Sequence, residues 1–160
     1  MDSTLSTPLK DRIQQVILTD FAGIMKTRES TIGKFILIAV GIEFLGACLD
    51  RQHLKATARS EKRFNTAICE LFPKKYHHFT KPGSVPYLYS DFRCPVIHQF
   101  TAGKSLFLCS ETETEFHELH HQSYDPQGDL VLQAEEFYQD LVRAATELIS
   151  RIEKVNSFKK

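Results

Sequence analysis

A chain of 160 residues that is 42% hydrophobic and 25% charged, with few glycines and prolines and no low-complexity tract, has the composition of one globular domain able to bury a core. Its 20 Lys and Arg balance 20 Asp and Glu, so no overall field draws it to nucleic acid. Four cysteines without close pairing exclude a disulfide scaffold and read as reduced thiols of a cytoplasmic protein, and "MDSTLSTPLKD" lacks the basic and apolar regions of a signal peptide.

Residues 8–25 read as an amphipathic helix, with Leu9, Ile13, Val16, Ile17, Phe21 and Ile24 at the spacing of one face. After "KTRES", Ser30 or Thr31 caps a second helix over residues 31–50 that is apolar nearly all round, the mark of a central helix. Its run "FILIAVGIEFLGACL" is shorter than the roughly 20 residues a bilayer needs and carries Glu43. It therefore reads as buried in a soluble domain, with no membrane partner. "RQHLKATAR" is a polar loop or frayed extension. Ser60 caps a third helix through "EKRFNTAICELF", with Phe64, Ala67, Ile68 and Leu71 inward and Pro73 just beyond.

"PKKYHHFTKPGSVP" reads as a loop, and Ser84 and Pro86 open a fourth helix, "YLYSDFRCPVIHQF". "TAGK" breaks the chain. "SLFLCSE" and "EFHELHHQSY" have strand character, and the turn "DPQGD" leads into "LVLQ". A long helix over residues 133–155 closes the chain, with Ala134, Phe137, Leu141, Ala145, Leu148 and Ile152 inward. The expected fold is mostly α. It is a single-domain bundle of about five helices with a small β ribbon or extended insert before the C-terminal helix.

Charge is unevenly spread. Residues 51–81 hold eight Lys or Arg (Arg51, Lys55, Arg59, Lys62, Arg63, Lys74, Lys75 and Lys81) against two acids, with His53, His77 and His78 among them; residues 105–142 hold nine acids and no Lys or Arg. Either the two segments form opposite surfaces, or they face and cancel each other.

The stretch "DFRCPVIHQF" sets Arg93 and His98 five positions apart, about 140° around an ideal helix. Pro95 removes the N–H that would bond the Asp91 carbonyl and disfavours helical geometry at Cys94, so a kink is expected to turn both side chains to one cleft. An arginine, four residues and a histidine, late in a helix of an all-α bundle, resembles the signature of the HEPN superfamily (higher eukaryotes and prokaryotes nucleotide-binding). The wider wording "LYSDFRCPVIHQF" is similar to a set of uncharacterised bacterial helical proteins. The resemblance implies an HEPN-like, metal-independent endoribonuclease or RNA-binding protein of a toxin–antitoxin or defence system. Arg93 and His98 would be catalytic, no cofactor would be needed, and RNA, an antitoxin-like protein and a second copy in a homodimer would be the partners. Where many members carry Asn, Asp or His after the arginine, this chain has Cys94.

The chemistry suits the residue types. Histidine exchanges protons near neutrality, and the forked arginine neutralises phosphoryl oxygens. One histidine is not acid and base in the same turnover, and a two-fold dimer removes that conflict. The competing expectation is a silent helical dimer, a binding or regulatory module, in which Arg93 pairs with Glu43 or Asp50 and His98 packs in the core.

"KKYHH" interleaves Lys74, Lys75, His77 and His78 with Tyr76 and, beyond it, Phe79, a pattern that holds RNA backbone or simply lies solvated over packed aromatics. "HELHH" has no matched ligand spacing for zinc and reads as a solvated flap, so no metal is expected. G-x-G-x-x-G, P-loop and G-x-S-x-G motifs are absent from the sequence.

Overall fold

The computed structural model describes residues 8–27, 30–50 and 56–157. The first helix, α1, runs through Leu9–Ile13, a π-helical stretch Gln14–Asp20, and Phe21–Met25. In a regular α-helix, residues four apart drift by about 40° around the axis, so positions 13, 17, 21 and 25 would wind off one face. The wider π turn offsets that drift. Ile13, Ile17, Phe21 and Met25 are all buried, and Ile24, expected inward, is turned out at 47% exposure. The Tyr138 hydroxyl donates to the Ile17 carbonyl inside the π stretch at 2.6 Å.

Helix α2 spans Thr31–Leu49. Ser30 caps it from a left-handed backbone, its hydroxyl accepting the Gly33 N–H at 3.0 Å. The helix is long and apolar enough to cross a membrane by length and composition, but half of it is packed inside the fold. Phe35, Ile38, Ala39, Ile42 and Leu45 line that packed side.

Helix α3 spans Ser60–Leu71, and Ser60 is its first helical residue rather than its cap. The two helices cross at Gly46, where a Cβ would stand 1.8 Å from the Arg63 carbonyl oxygen. Of the two expectations for "RQHLKATAR", a loop or a frayed extension, residues 56–59 take the loop, and Ala58 has φ 57°. Arg51, His53 and Lys55 of the basic segment lie outside the described residues.

The segment read as a loop opens instead with a 3-10 helix, Lys74–Thr80, which buries Tyr76, Phe79 and Thr80. Helix α4 joins a π-helical Leu88–Arg93 to an α-helical Cys94–Gln99. Strands β1 (Leu106–Cys109) and β2 (Leu130–Gln133) pair in parallel, Leu106 opposite Leu130. The strand expected over "EFHELHHQSY" is not formed. Residues 114–116 make a 3-10 turn, and Tyr124 alone bridges back to Leu130. β2 feeds directly into α5, Ala134–Ser157.

The fold is thus mostly α, with helices α1–α5 and the 3-10 helix Lys74–Thr80 among the described residues and a two-stranded insert before the last helix. Phe137 of α5 sits at the centre of the core. It stacks on Tyr76 at 5.3 Å between ring centroids and meets Phe92 at 5.4 Å.

Candidate functional site

Helix α4 is held at both ends by Asp91. Its carboxylate accepts the Tyr87 N–H at 2.7 Å, and its carbonyl, the one Pro95 leaves without an α-helical donor, accepts the Gly103 N–H at 2.7 Å. Only glycine fits there, since a Cβ at 103 would stand 2.4 Å from that carbonyl oxygen. The distortion expected around Pro95 takes the form of a π turn that passes into α-helix without a break. Cys94 is helical at φ −66°, ψ −50°, because the π turn before it and the return of Gly103 accommodate the proline.

Phe92 points from α4 into the core, buried against Phe35 and Phe137. Arg93 points the other way and reaches α2. Its Nε and Nη2 donate to Glu43 Oε2 at 2.9 and 2.7 Å, and the guanidinium lies 5.7 Å from the centre of the Tyr89 ring. Burial opposes its charge, but the carboxylate of Glu43 outweighs that and holds the Arg93 pKa above its ordinary value.

Nη1 of Arg93 is 3.3 Å from Nε2 of exposed His98. Arginine has only donors, so this nitrogen of His98 accepts and the ring proton resides on Nδ1. The reach of the arginine closes the angular gap that a kink was expected to close. Arg93 and Glu43 line a hollow of about 270 Å³ with Val40, Phe44, Ala47 and Arg63. His98 stands outside that lining, so the two groups meet at a rim rather than inside one cleft.

Of the alternative partners for Arg93, Glu43 is the one used. Asp50 instead takes Arg59 at 3.3 Å and Arg63 at 3.2 Å and fixes the start of α3. Cys94, next to Arg93 in the chain, is half-buried, and all four cysteines are free thiols.

The basic stretch is organised from below. Lys74, Lys75 and His78 are exposed, whereas half-buried His77 donates Nε2–H to the Phe72 carbonyl at 3.1 Å. Lys75 lies 3.5 Å from Asp140, so basic and acidic segments touch and partly cancel there. The contacts of these residues run to Phe72, Tyr76 and Asp140, and not to the Arg93–His98 pair.

Two polar clusters go beyond what the sequence motifs suggest. His117 and His120 are exposed as expected of a flap, but His121 is not. The Gln133 N–H donates to His121 Nδ1 at 3.0 Å, which leaves the proton on Nε2 to donate to the Tyr76 hydroxyl at 2.6 Å. Tyr76 in turn donates to buried Asp140 at 2.6 Å, and Arg143 closes the carboxylate. Burial, with Lys75 nearby, pushes the His121 pKa down to about 4.

In the second cluster, buried Lys34 of α2 donates to Glu135 at 2.7 Å and to Ser110 at 3.1 Å. Ser110 also donates to Glu135 at 2.7 Å, and the Glu111 N–H does so at 2.9 Å. Burial favours the neutral acid, yet Lys34 and these donors outweigh it and lower the Glu135 pKa. The sequence does carry a signal for both: Lys34 and Asp140 fall on the inward stripes of their helices, where a charge demands a partner.

The described residues contain no group of three His, Cys, Asp or Glu side chains placed to hold a metal ion. No protein-family model matches the chain, and no characterised protein or solved structure matches it significantly.

Proposed function

We propose that this chain is a metal-independent endoribonuclease of HEPN type, acting as a cytoplasmic homodimer with Arg93 and His98 at the reacting phosphate. The observation that carries the reading is the 3.3 Å approach of the Arg93 guanidinium to an exposed imidazole on a rim open to solvent. Glu43 grips Nε and Nη2, which orients the fork and leaves Nη1 to meet an anion. A phosphate drawing Nη1 away releases Nε2 of His98, which then has the lone pair to take the 2′-hydroxyl proton. Attack of that oxygen on phosphorus expels the 5′-oxygen, which takes a proton from the second copy's His98 in its protonated, imidazolium form, and a 2′,3′-cyclic phosphate remains. Lys74, Lys75 and His78, exposed on their 3-10 helix, supply backbone contacts away from the reacting phosphate. RNA is the substrate class, and an antitoxin-like protein is the partner class this type of enzyme implies.

The test is cleavage of end-labelled RNA in excess chelator by wild type, His98→Ala and Arg93→Ala. Wild type is expected to leave cyclic-phosphate ends, and loss of the imidazole to slow cleavage by about 10²–10⁴-fold. An inert wild type, or an equally active His98→Ala, overturns the reading.

A second reading is favoured by the two Arg93–Glu43 contacts: a non-catalytic helical dimer used as a binding or regulatory module, with Arg93 neutralising Glu43. It predicts that His98→Ala changes nothing and that Arg93→Ala costs about 2 kcal/mol of stability, since Glu43 loses its charged donor.

A further inference from the structure

Strand β1 is paired along one edge. Its parallel register, with the Leu130 N–H donating to the Ser105 carbonyl at 2.9 Å, turns the backbone groups of Phe107 and Cys109 toward β2. The N–H and C=O of Leu106 and Leu108 face the other way, and no described residue shares a hydrogen bond with them. The far edge of β2 is closed by contrast. There the Val131 N–H and C=O bond Ser123 and Gln122, and the Gln133 N–H bonds His121. The small sheet is thus finished on one side and open on the other, where its backbone groups are a template for another strand.

Beside the open edge lies a hollow of about 310 Å³, between β1 and the first turns of α2, lined by Ile32, Phe35, Ala102, Leu106, Leu108 and Glu113. Its floor is apolar and rests on the core. Its rim is acidic. Glu113 accepts the Ser110 N–H through Oε2 at 2.8 Å, which leaves Oε1 open, and Glu111, Glu115 and Glu118 are exposed beyond it. Residues 105–142 supply no Lys or Arg to balance them.

We propose that β1 is a docking edge for an extended segment of a partner protein, which adds as an antiparallel strand, sets alternate apolar side chains in the hollow and brings a basic residue to Glu113. This goes beyond the ribonuclease reading and does not rest on it. Phe35 is eight residues from Glu43, about 12 Å along α2 at 1.5 Å per residue, so the edge is separate from the Arg93–His98 rim.

Strand geometry fixes the pattern of the segment. Residues opposite Leu106 and Leu108 exchange both backbone bonds with them, and their side chains fall on the same face as those leucines, toward the hollow. The residue two before the first of these lies opposite Ser110, where Glu113 stands. The recognised sequence is therefore a basic residue with apolar residues two and four positions after it, the backbone giving affinity and the hollow giving specificity.

The same features disfavour other occupants. A nucleic acid would meet a rim of carboxylates. A second copy pairing β1 to β1 would bring its own first turn of α2 against that of the first, whereas an isolated strand passes between β1 and α2.

The probe is a fluorescein-labelled, amidated peptide with lysine first, valine third and fifth, and threonine elsewhere. Its binding to the full chain is read by anisotropy and by amide hydrogen exchange. At saturation the Leu106 and Leu108 amides are expected to exchange about tenfold or more slowly, while Phe107 and Cys109, already bonded to β2, do not change. N-methylation of the third peptide residue, whose N–H faces β1, should weaken binding by about tenfold or more; N-methylation of the fourth, whose N–H faces away, should leave it within about twofold. Glu113→Gln, which keeps an acceptor for Ser110, should weaken binding by about two- to fivefold. Absence of binding, equal loss from the two N-methylations, or unchanged exchange at Leu106 and Leu108 overturns the proposal. Protection of those two amides without peptide, rising with protein concentration, assigns the edge to a second copy and overturns it as well. No RNA enters the experiment, so its failure and that of the ribonuclease reading are seen separately.

Discussion

At Gly46 the backbone of α3 comes so near α2 that hydrogen is the largest side chain the crossing admits, whereas a Cβ added at Gly23 in α1 would meet nothing within 4 Å. Two identical substitutions should therefore have opposite signs. Gly46→Ala is expected to cost about 3 kcal/mol, because a backbone carbonyl cannot swing aside as a side chain does. Gly23→Ala is expected to gain about 0.5–1 kcal/mol from the smaller entropy of the unfolded chain. Urea titration of both variants checks the pair, and equal effects would contradict the close crossing. Residue-scale features of this kind are the ones the sequence conveys least. Glu43 declares itself by sitting alone in an apolar run, and its arginine partner is foreseeable. Asp50 offers the same charge seven residues on, and only the position of α3 decides that it takes Arg59 and Arg63 instead.

Among the elements, the long apolar stripes of α2 and α5 are legible because tertiary packing reinforces what their periodicity declares. The π turns are not. Their effect is to rotate a face, so Ile24 and Met25 exchange inside for outside in α1, and Pro95 sits in a continuous helix in α4. Tyr138→Phe, which leaves the Ile17 carbonyl without its hydroxyl donor, should lower stability by about 1 kcal/mol in the same titration.

The 110–129 segment departs from its strand-like pattern for a related reason. A run of backbone turns, the return of Gln122 and Ser123 to Val131, and His121, bonded on both nitrogens, hold it in place of a regular strand. That gives a pH signature. His121 is held neutral in the fold with its pKa depressed to about 4, so the unfolded chain takes up a proton first as pH falls. Stability should be whole above about pH 6.5 and decline by roughly 2–3 kcal/mol toward pH 4. In His121→Gln this part of the decline should vanish, leaving at lower pH the loss from carboxylates such as Glu135, whose pKa is also lowered. An unchanged slope in denaturation midpoints between pH 7 and 4 would remove His121 from the account of acid stability.

At the scale of the whole molecule, the mostly helical bundle with its small insert follows from composition and periodicity, whereas the work proposed for the Arg93–His98 rim depends on what meets it from outside. Neither a phosphate nor a second copy is specified by the periodicity of one chain. The most direct measurement is RNA cleavage in chelator across a protein dilution series, with the dimer fraction read by sedimentation in the same samples. Cyclic-phosphate yield per protomer is predicted to track the dimer fraction and to disappear when His98→Ala replaces wild type. Yield that stays constant as dimers dissociate, survives His98→Ala, or is absent at every concentration would contradict a shared site built from two imidazoles.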